Sequence, residues 1–258
     1  MSAPTMSTPE TSTTASGGFI AWARSRRWLP IAALFVMPLA FYHRLWLPDL
    51  VLIKRDAFRF HLPIKQYLLE RLSAGELPQW FPYEALGRPF IGATATGVFH
   101  PFTALYFLLP IPDAYRASTL LSCLLAAVGA FALGRLLNFS RTGALVAGAA
   151  FTLSGYVVSQ TDNILYLYSI CALPLFCAAW EKALVGSRAW TVAPAVVWAT
   201  VFLIGDVQTG YYYGFIALLW TAARAPGSHR QAFLRLALVG VLAALLAGIQ
   251  LGPAWAVF

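Results

Sequence analysis

The chain has 258 residues, of which 59% are hydrophobic and 11% charged, and its mean hydropathy is +0.68. Long apolar runs separated by short polar ones exclude a soluble domain with one core. They indicate an all-α membrane protein that crosses the bilayer several times. The net charge of +8 would favour a nucleic-acid partner for a soluble chain. In a membrane protein such charge first reflects orientation, and we expect no nucleic-acid partner.

The N-terminal segment differs in composition from the rest of the chain. Residues 1–18 are rich in Ser, Thr, Ala and Pro without apolar periodicity, so residues 1–23 are predicted to form a disordered cytoplasmic tail. Three arginines then precede the apolar run 28–47, which is too long for a signal-peptide core and has no obvious cleavage site. We interpret this run as an uncleaved anchor that opens a transmembrane domain, residues 24–258.

Six further apolar segments are candidate spans, which makes seven with the anchor. They are residues 115–133, 143–158, 164–180, 189–204, 208–223 and 233–255. If the N-terminus is cytoplasmic, the short cytoplasmic connections carry seven Lys and Arg residues and the short outer connections carry none. The positive-inside rule predicts this split, so we place the N-terminus inside and the long connection 48–114 outside.

Metal and cofactor motifs are absent from the sequence. Cys123, Cys171 and Cys177 all lie in predicted spans, where they are expected to pack instead of forming disulfides or binding metal. The sequence has no His-x-x-x-His pair, Walker loop, Gly-x-Gly-x-x-Gly or Gly-x-Ser-x-Gly element. We therefore predict no cofactor and no metal ligand; a divalent metal stays open but without support.

The first outer loop, residues 48–114, holds much of the charge. Residues 58–72 alternate at helical spacing, which predicts an amphipathic helix along the membrane face that ends at Gly75. Its apolar positions are Phe58, Leu62, Tyr67 and Leu69, and its polar positions are Arg59, Lys65, Gln66 and Arg71. The apolar stretch 98–112 is interrupted by prolines, so we expect it to be interfacial or re-entrant.

Asp56 is the candidate catalytic residue of this loop. A carboxylate at the membrane surface could act as a base toward a substrate whose phosphate is held by Arg55, Arg59 and His61. The alternative is a solvated carboxylate paired with Lys54 or Arg55, beside cations that attract anionic headgroups without specificity.

Six further residues are candidates for substrate binding. Trp80 and Tyr83 could form a sugar platform, although aromatic residues at a membrane boundary are ordinary anchors. Four polar residues at the outer ends of spans could face a functional cavity or form solvated turns. They are Asp162, Asn163, Asp206 and Gln208.

Several segments in a fixed order resemble the YfhO-like bacterial membrane proteins. They read RDAFRFHLPIKQYLLERLSAGELPQWFPYEALGRPF, GVFHPFTALYFLLP, RLLNFSRTGALVAGAAFTLSGYVVSQTDNILYLYSICALPLFCAAWEKAL, GDVQTGYYYGF and AGIQLGPAW. The resemblance covers nearly everything after Arg24. It implies a glycosyltransferase of the GT-C fold in the bacterial inner membrane, which uses a sugar linked to polyprenyl phosphate.

The resemblance also implies a role for Asp56, which aligns with the catalytic acidic residue of the first outer loop. Many such enzymes carry a second acidic residue beside it, where this chain has Ala57, a difference that bears on metal dependence and on activity itself. Such proteins are usually much longer, so we expect this chain to be the N-terminal part of one.

The expected reaction is attack by an acceptor hydroxyl on the anomeric carbon of the donor at the outer membrane face. Asp56 would remove the proton, and Arg55 or Arg59 would stabilise the departing phosphate. The alternatives are a non-catalytic transporter or lipid-handling protein, or an inactive assembly subunit. A transporter would be expected to show paired inverted repeats, and the sequence has no clear internal repeat.

Overall fold

The computed structural model describes residues 29–47, 55–84, 86–93 and 95–256. The predicted tail, residues 1–23, and Lys54 lie outside these described residues. The described residues are mostly helical, as expected for a chain with such long apolar runs.

Eleven α-helices follow one another in the described residues. They are α1 (Leu29–Phe41), α2 (Leu62–Ser73), α3 (Leu105–Leu108), α4 (Ile111–Leu136), α5 (Arg141–Thr152), α6 (Gly155–Ser159), α7 (Ile164–Val185), α8 (Val192–Ile204), α9 (Val207–Arg224), α10 (His229–Leu246) and α11 (Gly248–Trp255). Short 3-10 helices span His43–Trp46, Pro101–Ala104, Gln160–Asp162 and Arg188–Thr191, and one π-helical turn spans Ala57–His61. An antiparallel hairpin pairs β1 (Trp80–Phe81) with β2 (Arg88–Pro89).

Each predicted span falls on a helical segment, but the segments differ in length. Four of them are long and apolar enough to cross a membrane: α4, the interrupted helix Arg141–Asp162, α7 and α10. The apolar helices Ile31–Phe41 and Ala189–Ile204 are shorter. Four spans are therefore supported by length and composition, and the count of seven stays a prediction.

The core of the bundle is the contact between α4 and α7. Gly129 of α4 allows this approach, because a Cβ at that position would lie 2.6 Å from the backbone nitrogen of Leu175. Two hydroxyl groups of α4 form hydrogen bonds within the helix. Ser118 and Thr119 both donate to the carbonyl oxygen of Tyr115 at 2.9 Å. Small side chains and hydroxyls that bond within their own helix thus let the two long helices pack closely.

The bundle has two chemically different ends. Because successive helices are joined by short connections, the turns 160–163 and 205–206 lie at one end, which we call the Asp56 end. At the opposite end, which we call the Arg224 end, Arg224 Nη2 contacts Glu181 Oε1 at 2.6 Å. Trp220 Nε1 donates to the other oxygen of Glu181 at 2.7 Å, so the carboxylate is fully engaged.

The segment after α1 packs onto the Asp56 end. Helix α2 ends at Ser73, and Gly75 follows with φ +76°, as the stop signal predicted. Ile64 and Leu68 of α2 are buried against the hairpin. Lys65 lies on this buried side with 2% of its surface exposed, so its predicted place on the polar face was wrong.

Candidate functional site

Asp56 is held by a chain of side-chain contacts at its end of the bundle. Asn163 Nδ2 donates to Asp56 Oδ2 at 3.0 Å, and Asn163 Oδ1 lies 3.2 Å from His61 Nε2. Since the amide oxygen can only accept, His61 Nε2 carries the proton and donates. The structure thus brings together three residues that the sequence had placed in the site, and it leaves the Asp56 side chain exposed.

Local sequence explains why Asp56 stands at the surface. It directly precedes the π-helical turn Ala57–His61, whose first residue, Ala57, has no exposed surface and packs among Tyr115 and Ile164. A second carboxylate at position 57 would therefore be buried among apolar side chains, at a cost of several kcal/mol. This packing gives a physical reason for a small apolar residue at position 57.

His61 supports Asp56 through Asn163 and does not present a charge. Its ring is 3% exposed, and burial lowers the pKa of His61 to about 4, which the hydrogen bond with Asn163 only partly offsets. The imidazole is therefore neutral near pH 7. This revises the expectation that His61 binds a phosphate by charge, and it leaves Arg55 and Arg59 as candidates for that role.

Arg55 and Arg59 are both exposed beside Asp56. Arg55 has φ +45°, a left-handed conformation that costs a non-glycine residue about 1–2 kcal/mol. Arg59 lines a cavity of about 570 Å³ together with Phe58, Leu62 and Ile111. An apolar groove with one cation at its wall has the character expected of a site for a lipid phosphate.

Trp80 and Tyr83 lie on the hairpin, and their side chains are 50% and 77% exposed. The backbone oxygen of Trp80 accepts from Tyr67 Oη at 2.8 Å, and the Tyr83 ring lies 5.8 Å from the Tyr67 ring. In the described residues these contacts join them to α2 and not to Asp56. Both sequence interpretations, sugar platform and membrane anchor, stay open.

Asp162 and Asp206 occupy the turns at the Asp56 end, and Gln208 lies in the first turn of α9. Asp162 is buried, and Asp206 caps α9, where its Oδ1 accepts from Thr209 N at 3.0 Å. Asp206 Oδ2 is buried without a hydrogen-bond partner among the described residues. Gln208 is exposed, and its Nε2 donates to Tyr212 Oη at 2.9 Å. Asp206 therefore positions α9, while Gln208 is available to a ligand.

Sequence reasoning missed a cluster of polar residues behind Asp56. Lys65 Nζ donates to the carbonyl oxygens of Thr96 and Gly97, both at 3.0 Å, and to Thr103 Oγ1 at 2.9 Å. His100 stacks on Tyr168 at 4.8 Å between ring centroids. These partners lie 31 or more residues from Lys65 in the chain, so local spacing carries no signal for them.

Metal ligands do not cluster in the described part of the chain. No group of three or more His, Cys, Asp or Glu side chains there could hold a metal ion. The three cysteines are buried and free, which agrees with their predicted packing role.

A helical bundle with four helices of span length, capped at one end by a polar cluster around an exposed carboxylate, defines a polytopic membrane protein. The family described as "Bacterial membrane protein YfhO" matches residues 29–258, and the chain belongs to this family. The family predicted from the sequence is thereby confirmed. No curated protein and no solved structure matches the chain.

Proposed function

We propose that the protein transfers a sugar from a polyprenyl-phosphate-linked donor to an acceptor at the outer face of the bacterial inner membrane. The proposal includes seven spans, the GT-C fold, a cytoplasmic N-terminus and contact with membrane lipids. It assigns Asp56 as the general base.

The observation that carries the proposal is the fixed orientation of an exposed carboxylate. One oxygen of Asp56 is occupied by Asn163, which is itself held by the buried, neutral His61. The second oxygen is left for a substrate. A solvated loop carboxylate would need no such support from a residue 107 positions away in the chain.

The cavity lined by Arg59, Phe58, Leu62 and Ile111, which we call the Arg59 groove, would hold the phosphate and lipid chain of the donor. A phosphate beside Arg59 and Arg55 would place its lipid chain against Phe58, Leu62 and Ile111. Bonds from guanidinium groups to phosphate are charge-assisted and about twice as strong as neutral ones. Leaving-group charge would thus develop beside the two arginines, as transition-state stabilisation requires.

In the proposed reaction the acceptor hydroxyl oxygen attacks the anomeric carbon as its proton passes to Asp56. The bond between the anomeric carbon and the phosphate oxygen breaks, and the phosphate leaves with the electron pair. The proton is later returned to solvent from the exposed carboxyl group.

The test is sugar transfer in membranes from cells that express the protein. Undecaprenyl phosphate bearing labelled glucose, mannose or N-acetylglucosamine serves as donor, and transfer to membrane-bound acceptor is measured. Asp56→Asn keeps the side chain's size but removes the base, so we expect transfer to fall about 10²- to 10⁴-fold at unchanged abundance.

The matched control is Glu76→Gln, a second loop carboxylate that pairs with Arg71 on the surface. Its loss should change transfer by less than about twofold, because exposed ion pairs contribute little. Equal activity of the two variants, or no transfer from any donor by the unaltered protein, would count against a transferase. Either result would favour a lipid-handling protein or an inactive subunit.

A further inference from the structure

A second cavity lies at the Asp56 end, between α6, α7 and α9. It has a volume of about 570 Å³. Four tyrosines line it, Tyr156, Tyr166, Tyr212 and Tyr213, and of these Tyr213 is fully buried. None of the residues in the described part of the chain that line it is charged.

The polarity of this cavity changes with depth. Gln160, Gln208 and Thr209 lie at its mouth, beside the turns at the Asp56 end. Leu173 of α7 and Ile216 of α9 lie deeper along their helices, and Leu173 is nine residues beyond the start of α7. At the rise of an α-helix this places it about 14 Å toward the middle of the bundle. The cavity thus suits a ligand with a polar head and an apolar tail.

The charge of the residues around each cavity indicates which polar head group it would bind. The Arg59 groove carries a cation, whereas the mouth of this cavity offers amide, hydroxyl and phenol groups. Asp206, which directly precedes the helix that carries Gln208 and Thr209, is 2% exposed. Among the described residues that line the cavity, a phosphate head would meet no cation, and it would approach the buried carboxylate of Asp206. A head with neutral hydroxyl groups would instead find both donors and acceptors.

The cavity is joined to Asp56 through one short segment. Gln160, at the cavity mouth, accepts a hydrogen bond at its backbone oxygen from the backbone nitrogen of Asn163 at 2.9 Å. Asn163 in turn binds Asp56. A head group held at Gln160 therefore lies next to the segment that orients the proposed base.

We infer that this cavity binds the acceptor, an uncharged amphiphile whose head carries hydroxyl groups, such as a glycolipid. The identification of this ligand as the acceptor rests on the proposed function, whereas binding of the ligand does not require sugar transfer. Donor phosphate and acceptor hydroxyl would then occupy different cavities on two sides of the Asp56 and Asn163 pair. The tyrosine rings offer faces for sugar packing, and the two glutamines offer hydrogen bonds.

The probe is octyl β-glucoside with a photoreactive diazirine at the end of its chain, added below its micellar concentration. The protein is held in phosphatidylcholine nanodiscs, irradiated and mapped by mass spectrometry. We expect labelled peptides from α7 and α9. Unlabelled octyl β-glucoside should suppress labelling at a concentration about tenfold lower than octyl phosphate or octanol.

Neighbouring tyrosines provide the matched variants. Tyr212 lines the cavity, whereas Tyr211 is 73% exposed and does not line it. Tyr212→Ala should weaken probe competition about fivefold or more, and Tyr211→Ala should not. Gln208→Leu, which removes only the amide at the mouth, provides a second reading if Tyr212→Ala fails to fold.

Three results would overturn the inference: equal competition by octyl phosphate, equal effects of the two tyrosine variants, or labelling outside α7 and α9.

Failure of the cavity inference can be distinguished from failure of the transferase proposal. Asp56→Asn should bind the probe as the unaltered protein does, because binding needs no base. Transfer that depends on Asp56 without probe binding would reject the cavity alone, and probe binding without transfer would keep the cavity and reject the reaction.

Discussion

Lys65 is a buried lysine whose ammonium group contacts neutral oxygens. Its three hydrogen bonds, to Thr96, Gly97 and Thr103, match the three donors of an ammonium group. The Tyr106 ring lies 5.5 Å from Nζ, and His61 and His100 are neutral neighbours. Burial lowers the pKa of Lys65 from its ordinary 10.5 to about 7. Lys65 thus joins α2 to residues 96–103, and burying its charged form costs desolvation free energy.

Because the pKa of Lys65 is lowered in the folded protein, we expect the free energy of unfolding to rise with pH between about 7 and 10. The folded-state pKa lies below the unfolded one, so in this window the unfolded chain binds more protons than the folded chain. The slope approaches about 1.4 kcal/mol per pH unit. Below pH 7 the lysine is charged in both states and the cost of burying the charge is fully present.

The measurement compares the thermal midpoint of the unaltered protein with that of Lys65→Met, in detergent at pH 7 and pH 9. The advantage of the lysine over methionine should grow at the higher pH. Lys182→Met is the control, because the Lys182 side chain is exposed and packs on Trp190. A pH-independent difference for Lys65→Met would contradict the assignment.

Asn163 and His61 are expected to act as positioning residues for Asp56. Asn163→Ala frees the carboxylate, so kcat for transfer should fall about tenfold with a smaller change in donor KM. His61→Gln keeps an amide N–H that can donate to Asn163, whereas His61→Phe removes it. We expect the glutamine variant to retain most activity and the phenylalanine variant to resemble Asn163→Ala. A merely structural role would make both His61 variants equally impaired.

At the scale of elements, helix contacts depend on glycines whose environment is invisible in the sequence. Gly129 faces the backbone of Leu175 one residue after Pro174, in the middle of two spans. Gly252 of α11 has nothing within 4 Å of the position a Cβ would occupy. Both are glycines in apolar helices, yet only one of these two sustains a tight contact.

Alanine substitution should therefore have opposite effects at these two glycines. Gly129→Ala forces α4 and α7 apart and should destabilise the protein by about 1–3 kcal/mol, the typical cost of overpacking. Gly252→Ala should be neutral or slightly stabilising, because alanine favours a helix by about 1 kcal/mol over glycine. Thermal midpoints in detergent test the pair, and similar midpoints would show that α4 and α7 can separate freely.

At the scale of the whole molecule, the short connections at the two ends of the bundle differ in charge. The basic residues predicted to be cytoplasmic include Arg224 and Arg235, which contact α7 at the Arg224 end. The short turns 160–163 and 205–206 at the Asp56 end carry no Lys or Arg, and the basic residues of that end, such as Arg55 and Arg59, belong to the long connection. From this difference the positive-inside rule predicts that the Arg224 end is cytoplasmic.

Cysteine labelling in whole cells tests this orientation. Ser73, at the end of α2, and Ser228, before α10, are both exposed. Ser73→Cys should react with an impermeant maleimide from outside, and Ser228→Cys only after permeabilisation. Background should be low because the three native cysteines are buried. Reaction of both positions from the same side would contradict the predicted topology.

Much of the fold follows from patterns that are local in the chain. Apolar runs of span length locate α4, α7 and α10, and Gly75 marks the end of α2, because these signals act within one element. The start of α4 was placed four residues late, at position 115. Pro110 and Pro112 were interpreted as interruptions, whereas the helix begins at Ile111 with Pro112 in its first turn.

The candidate site was only partly accessible from sequence. Asp56 and His61 were candidates as charged or polar residues of the first outer loop, and Asn163 was a candidate as a polar residue at the outer end of a span. Their mutual contact was not predicted, since it joins residues more than 100 positions apart. The buried side of Lys65 was missed for the same reason, because its partners belong to another segment.

The sequence by itself determined the class of this protein and its family. Burial of apolar side chains in lipid and the asymmetry of basic residues are properties of composition and order, which need no knowledge of contacts. The tertiary structure alone decided which polar residues act together: Asn163 reaches Asp56, Lys65 turns inward, and Ala57 fills a closed space. Such contacts depend on how helices distant in sequence pack against each other. Packing depends on the shapes of all the helices in contact, whereas the sequence pattern of one segment predicts only the secondary structure and membrane burial of that segment.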